Sequence, residues 1–271
     1  MRHLPFQAVA FDLDDTLLHN DLTISDYTIS VLRRLSDLGV HIIPASGRAQ
    51  LSMKPFVDQL ACSSIYISCN GAEIWSGQTD ALLHAEQFSK ELGQEIASFG
   101  NHYSVYSQTY AGDKFYYNEE SEWSRQYAEA SMLTGILVGN LESFIQEPRS
   151  KILMMAAPEK IAVMLQAARK VFDGRASVTC SKPWFLEFNP VHATKGAALS
   201  RASSILTLPP SSFIAFGDSL NDLSMLQFAG RGVLMFNGRE DMRFICDDIC
   251  GSNQEDGVPH YLENLYREVL S

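Results

Sequence analysis

The sequence predicts an α/β protein: a doubly wound parallel sheet interrupted by an inserted α+β segment. Three observations carry that expectation. Short apolar runs (Val9-Ala10-Phe11, Val40 to Pro44 and Phe213 to Phe216) alternate with amphipathic helical patterns, the β-α-β order that implies parallel strands and right-handed crossovers. Polar clusters follow these runs directly, as Asp12-Leu13-Asp14-Asp15-Thr16 follows the first. From about residue 83 to 186 the chain turns to aromatic-rich, short alternating segments, which marks a second layer inserted into the first. The expected division is 1–82 with 187–271 for the core and 83–186 for the inserted domain.

Taken in order, Ser25 precedes a helix with Ile29, Leu32, Leu35 and Leu38 on one face, and Gly39 is placed to end it. Val40 to Pro44 reads as the second strand, and a helix runs to about Leu60. Ile65 to Ser68 is a third strand, stopped by Asn70-Gly71; Ala72 to Trp75 with Ser76-Gly77 reads as a hairpin arm. In the insertion the strand candidates are Tyr103 to Gln108, Lys114 to Tyr117, Lys151 to Met155, Ala176 to Cys180 and Trp184 to Phe188. Helices are expected over Lys90 to Phe99, Ser121 to Met132 and Glu159 to Phe172. The parallel pattern then resumes with a helix from Lys195 to Leu206, the strand Phe213 to Phe216, a helix after Asp218, a strand over Val233 to Phe236 and a closing helix over Val258 to Leu270.

Composition narrows the function. With 271 residues, 46% of them hydrophobic, the chain has material for one domain plus an insertion. A formal charge of -11 disfavours nucleic acid and anionic membrane surfaces as partners. No apolar stretch approaches the ~20 residues of a membrane span, and Asp12, Asp14 and Asp15 stand where a secretory apolar core would lie. Five cysteines without framework spacing read as reduced thiols, so a cytoplasmic setting is expected.

The chemistry concentrates at the first strand's end. Three carboxylates crowded there repel one another unless a cation shares the site, and a hard divalent ion such as Mg²⁺ is the natural remedy. Asp12 and Asp14 are separated by one residue, so one can attack an electrophile while the other handles a proton. Ser46-Gly47 follows the second strand, and Asp218, Asn221 and Asp222 follow the strand Phe213 to Phe216. In an open parallel sheet such strand ends share one edge, where ligands bind. Lys195 at a helix start is placed to meet an anion. Together the clusters describe a phosphate site with a metal.

These motifs resemble those of the haloacid dehalogenase superfamily. Asp12-Leu13-Asp14-Asp15-Thr16 matches its Asp-x-Asp-x-Thr signature, with Asp15 where Gly is frequent and Ser46 where Thr is common. Ser46-Gly47-Arg48, Asn70-Gly71-Ala72, Lys195-Gly196 and Gly217-Asp218-x-x-Asn221-Asp222 are similar to the Cof-type phosphatases, whose large cap lies between the second and third motifs. The resemblance implies a Rossmann-like core with an α+β cap that sets substrate specificity. It implies Asp12 as nucleophile and Asp14 as general acid and base, phosphate binding at Leu13, Ser46, Gly47 and Lys195, and Mg²⁺ held by Asp12, Asp14 through its backbone carbonyl, and Asp218, with Asn221 or Asp222 assisting. The implied substrate is a small phosphorylated metabolite, a sugar phosphate or a phosphorylated cofactor, and the implied assembly a monomer or small homo-oligomer.

Plainer structural roles compete at several of these positions. Asp15 is expected to supply a left-handed turn. Arg48 is evenly divided between touching substrate and bracing a carboxylate. Asn70 is first a turn residue and second a substrate contact. The insertion's aromatics, Tyr106 and Tyr110 among them, are more simply core than pocket. Phosphomutase, phosphorelay receiver and idle phosphometabolite-binding regulator are the competing functions. The Asp-x-Asp pair on the first strand and the ~100-residue insertion speak against a receiver; the intact acids and Lys195 speak against an idle regulator.

Overall fold

The computed structural model describes residues 4–112, 114–131 and 133–270. Two compact units result: Met1–Arg48, Met53–His84 and Thr194–Ser271 form the first, and Ala49–Ser52 with Ala85–Ala193 the second. The chain begins with β1 (Ala8–Phe11), α1 (Asp26–Asp37), β2 (His41–Pro44), α2 (Gln50–Leu60), β3 (Ile65–Ser68), β4 (Glu73–Ser76) and β5 (Leu82–Ala85). Next come α3 (Lys90–Tyr103), β6 (Tyr106–Ala111), β7 (Lys114–Tyr117), α4 (Glu122–Ser131), β8 (Gly135–Leu137), α5 (Leu141–Phe144), β9 (Ile152–Met155), α6 (Pro158–Val171), β10 (Ala176–Thr179) and β11 (Phe185–Pro190). The chain closes with α7 (Lys195–Leu206), β12 (Phe213–Gly217), α8 (Leu223–Phe228), β13 (Arg231–Leu234), β14 (Asp248–Ile249), α9 (Gly257–Leu265) and α10 (Arg267–Leu270).

In the first unit the strands run in the order β14-β13-β12-β1-β2, all parallel. Parallel bridges Ile42 to Ser63 and Ala45 to Ile67 extend this sheet toward β3, whose antiparallel partner is β4. Alternation along β1 explains why both faces are covered. Val9 and Phe11 pack with Val31, Leu32 and Leu35 of α1 and Val258 and Leu262 of α9. Ala8 and Ala10 face the other way, toward Leu199 and Ala202 of α7 and Met225 of α8. This is the expected doubly wound sheet. Because the chain leaves β1 toward β2 on one side and continues from β12 to β13 on the other, the crevice for a ligand opens at the carboxyl ends of β1 and β12.

Local chemistry sets the helix ends. Ser25 Oγ accepts from Thr28 N–H (3.0 Å) at the start of α1, and Gly39, at φ +88°, turns the chain out of it. Thr194 Oγ1 accepts from Ala197 N–H (3.1 Å) and so fixes where α7 begins, one residue before Lys195.

The second unit is a mixed sheet in the order β10-β11-β9-β6-β7-β8, with β7 and β8 parallel. On one face Ile152, Met154, Leu186 and Phe188 pack with Ile96 of α3, Leu141 of α5 and Met164 of α6. On the other face Tyr106, Phe115, Leu153 and Met155 meet Trp123 and Tyr127 of α4. No helix among the described residues is long and apolar enough to cross a membrane.

Several expectations are corrected. The boundary at 187 cuts through β11, whose residues Glu187 to Pro190 pair along β10; ladder hydrogen bonding, invisible in composition, holds them in the mixed sheet. Tyr103 closes α3 and β6 begins only at Tyr106, because Ser104, at φ 49°, ends the helix in the left-handed region. The short elements β5, β8, α5 and β14 have too few residues for a periodic signal. The closing helix breaks at Tyr266 into α9 and α10. Of the helix expected over 121–132, Met132 lies outside the described residues.

Candidate active site

After Phe11 the backbone leaves β1 in a wide turn closed by Leu18 N–H to Leu13 C=O (2.8 Å). Asp15 takes φ 57° there, a conformation Asp tolerates better than most residues. Its carbonyl accepts from Asn237 Nδ2 (2.8 Å), and Asn237 Oδ1 in turn accepts from Asn253 N–H (3.0 Å). The turn holds Asp12 inward, 5% exposed, while the Leu13 side chain joins the apolar core. Only the backbone of Leu13 is left to face the crevice.

Lys195, fully buried, is the cation of the site. Its Nζ lies 2.7 Å from Asp12 Oδ1 and 2.5 Å from Asp222 Oδ1. Asp222 Oδ2 also accepts from the N–H groups of Asp218 and Ser219 (3.0 Å each), so Asp222 clamps the loop after β12 and aims Lys195. Close packing fixes this arrangement. A Cβ on Gly71, at φ +102°, would lie 2.2 Å from the Thr194 carbonyl oxygen, and one on Gly196 2.2 Å from that of Ser224. Gly71→Ala is therefore expected to cost about 1–3 kcal/mol, read as a lowered melting temperature.

Asp218 Oδ1 accepts from Thr16 Oγ1 (3.0 Å). Asn221 Nδ2 donates to Asn70 Oδ1 (3.2 Å), and Asn221 Oδ1 accepts from Ser219 Oγ (2.6 Å). Asn70 is itself left-handed, at φ 56°, and its Oδ1 would stand 2.8 Å from a Cβ at position 47, so Gly47 is the residue that allows this approach. Ser46 Oγ accepts from Arg48 N–H (3.1 Å), which shapes the turn after β2. Arg48 grips the Asp14 carboxylate with two hydrogen bonds, Nε to Oδ2 (2.8 Å) and Nη2 to Oδ1 (2.6 Å), and lies over the Phe56 ring. Of its two sequence readings, the carboxylate brace is the one seen.

The electrostatics follow from burial. Burial raises the Asp12 carboxyl well above its ordinary range; Lys195 opposes this, while Asp222, Asp218 and Asp14 add to it. Asp218 is pushed up to about 7 by burial and Asp222, against the Thr16 hydrogen bond and Lys195. Burial alone would lower Lys195, but Asp12 and Asp222 outweigh it and hold the ammonium above its usual value.

A metal fits these residues. Asp12, Asp218 and Asp222 each offer a carboxylate oxygen within 4.8 Å of the others. Asp12 Oδ1 is buried against the Lys195 ammonium, and an all-oxygen donor set suits a hard divalent cation. The Asp14 carboxylate is engaged by Arg48, which leaves its backbone carbonyl as the group to offer.

The sequence reading passed over Thr16, Asn237 and Asn253 as supporting residues. Thr16 was signalled by the motif itself. The two asparagines were not, since nothing local links them to a turn more than two hundred residues earlier.

Comparison with known proteins agrees with this architecture. Residues 9–262 match the family model of haloacid dehalogenase-like hydrolases, so the chain belongs to that family. Among curated proteins it is 28% identical to the 5-amino-6-(5-phospho-D-ribitylamino)uracil phosphatase YitU of Bacillus subtilis, over 95% of this chain and 97% of that one. It is 29% identical to the Phosphatase YwpJ of the same organism, over 95% and 99% of the two chains. A crystal structure of a haloacid dehalogenase-like hydrolase from Bacteroides thetaiotaomicron is similar, with a TM-score of 0.90 and 25% identity over 96% of this chain and 99% of that one.

Proposed function

We propose that this protein is a Mg²⁺-dependent phosphatase that hydrolyses a small phosphorylated metabolite through an aspartyl phosphate on Asp12. The observation that carries the reading is the buried Asp12 carboxylate, 2.7 Å from the buried Lys195 ammonium and beside Asp218 and Asp222, at the switch point of a parallel sheet. Phosphate monoesters are anions that a carboxylate approaches only when their charge is offset.

In this reading the Lys195 ammonium, the Ser46 hydroxyl and the N–H groups of Leu13 and Gly47 hold the phosphoryl oxygens. An Asp12 oxygen attacks phosphorus as the ester P–O bond breaks, and Asp14 gives its proton to the departing alcohol oxygen. Water then attacks the phosphorus, Asp14 takes its proton, and the Asp12–phosphorus bond breaks to return free carboxylate and inorganic phosphate. Asp12, Asp218 and the Asp14 carbonyl would hold the metal, with Asn221 and Asp222 supporting them, and the metal would supply positive charge that offsets the phosphoryl anion. Arg48 and Asn70 position the site, Arg48 through Asp14 and Asn70 through Asn221. The inserted unit selects the substrate. YitU is named for a substrate that carries a phosphorylated ribityl chain, and a polyol or sugar phosphate is the class we assign here.

Phosphate release from a panel of phosphorylated metabolites, with Mg²⁺ and with EDTA, tests the reading. Metal-dependent release supports it; conversion to an isomer without release replaces it with a phosphomutase. Metal affinity carries a pH signature. The metal-free Asp218 carboxyl, pushed up to about 7 against an ordinary 3.8, holds a proton that the metal must displace. Between these values the metal-free folded state binds more protons than the unfolded one, so its stability falls as pH rises through the window. Mg²⁺ is therefore expected to raise the melting temperature more at pH 8 than at pH 5.5, measured by calorimetry.

A further inference from the structure

Two asparagines from near the end of the chain hold the turn that carries Asp14, and no step of the proposed chemistry uses them. The turn needs a hold. Asp14 has φ −65° and ψ 130°, whereas Asp15 has φ 57° and ψ 8°, in the left-handed region that glycine enters freely and a residue with a Cβ enters at a cost. Such a conformation persists only where its surroundings over-determine it. Leaving it is a rotation about the Asp15 φ bond, which turns the peptide bearing the Asp14 carbonyl against the peptide bearing the Asp15 carbonyl. The first of these oxygens is the one that the phosphatase reading gives to the metal. The relaxation that Asp15 favours therefore competes with the placement of that oxygen.

Each side of the bond is gripped. Arg48 holds the Asp14 carboxylate with two hydrogen bonds, and Asn237 Nδ2 donates to the Asp15 carbonyl (2.8 Å). Asn237 is exposed, where water competes for a hydrogen bond, but its amide is not free to turn. Its Oδ1 accepts from the N–H of Asn253 (3.0 Å). Asn253 is 4% exposed and is pinned in turn, its Nδ2 donating to the Leu18 carbonyl (2.9 Å) and to Asn20 Oδ1 (3.1 Å). The Leu18 N–H closes the same turn onto the Leu13 carbonyl (2.8 Å). The two asparagines thus fix the turn at its middle and at its end, from a segment more than two hundred residues along the chain.

We propose that Asn237, aimed by Asn253, is a positioning residue: by fixing the Asp15 carbonyl it keeps Asp15 left-handed and the Asp14 carbonyl in place, so that Mg²⁺ affinity depends on it and turnover follows. The effect on turnover rests on the phosphatase reading; the effect on Mg²⁺ binding does not. Groups that orient metal ligands without touching the metal are worth about 10- to 100-fold in metal affinity or activity, and small displacements of a reacting group carry penalties of the same order.

The test is a cycle of four full-length proteins: wild type, Asn237→Ala, Asp15→Gly and the double variant Asp15→Gly/Asn237→Ala. Mg²⁺ affinity is read by titration calorimetry, and kcat and KM with p-nitrophenyl phosphate. Asn237→Ala is expected to bind Mg²⁺ about 10- to 100-fold more weakly than the wild type. Its kcat is expected to fall about 10-fold or more, with KM moving less than about 3-fold because Ser46 and Lys195 stand on other segments. Glycine has no drive to leave the left-handed region, so in the Asp15→Gly background the same substitution is expected to cost no more than about 3-fold in affinity. Any effect of the charge lost with Asp15 is common to both members of that pair and cancels. A merely structural role for Asn237 predicts a lowered melting temperature with the Mg²⁺ affinity of the folded protein unchanged, and that result overturns the proposal. An equal loss of affinity in both backgrounds overturns it too, since Asn237 would then act by a route other than the turn. If the wild type releases phosphate from nothing, the phosphatase reading fails separately and the Mg²⁺ titrations decide alone; a wild type that binds no Mg²⁺ overturns the proposal as well.

Discussion

Asp12→Asn is expected to abolish phosphate release, lowering kcat by at least about 10⁴-fold, because an amide cannot form the aspartyl phosphate. It is also expected to leave the fold intact. The Asp12 carboxyl is buried and raised well above its ordinary range, with Asp218 and Asp222 among the causes, so removing its charge relieves repulsion. Lys195 keeps Asp222 as its partner at 2.5 Å. At neutral pH without metal the variant should therefore melt no lower than the wild type. Phosphate release and a thermal melt on the same preparation separate the two effects. Release that persists in a folded Asp12→Asn protein would remove Asp12 from the nucleophile's role and move attention to Asp14.

Lys195→Met has the opposite balance, harming the fold and the chemistry together. Methionine fills much of the same volume but leaves the buried Asp12 and Asp222 carboxylates without the ammonium that both face. Breaking a buried pair in this way costs about 3–5 kcal/mol, and losing a preorganised charge costs about 10²- to 10³-fold in rate. The stability loss has a direction in pH. Without Lys195 the folded-state value of Asp12, already above its ordinary 3.8, rises further. The folded state then holds a proton that the unfolded state has released, so the penalty is present at high pH and relieved as pH falls through the folded value. Denaturant melts at pH 8 and pH 5 should show the larger deficit at pH 8. A variant as stable as the wild type at both would mean that the three side chains are not electrostatically coupled.

Much of this molecule was legible in the sequence, for a physical reason. A strand buried on both faces must be apolar throughout, as Ala8–Phe11 and Phe213–Gly217 are, and a crossover helix must carry one apolar stripe. Those constraints act locally, so they survive in a one-dimensional string and give the doubly wound sheet. They also place Asp12, Asp14, Ser46, Gly47 and Asp218 directly after strands, on the edge where a parallel sheet collects its ligands. The left-handed turn at Asp15 was expected because the resembling family often has Gly at this position and Asp tolerates that conformation.

Partnerships between distant residues were not legible. Which carboxylate Lys195 faces, that Arg48 grips Asp14, and that Asn221 meets Asn70 151 positions away depend on how strands and helices are stacked, and pairing across a fold leaves no period in the chain. The same holds for the turn after β1. Asn237 and Asn253 look like ordinary loop residues until the fold brings them to the carbonyls of Asp15 and Leu18. The sequence by itself determined which layers form and which residues lie at the edge of the parallel sheet, because burial and turn geometry are local demands. The tertiary structure decided which charges meet and which side chains hold the turn, because those depend on register and packing between segments far apart in the chain.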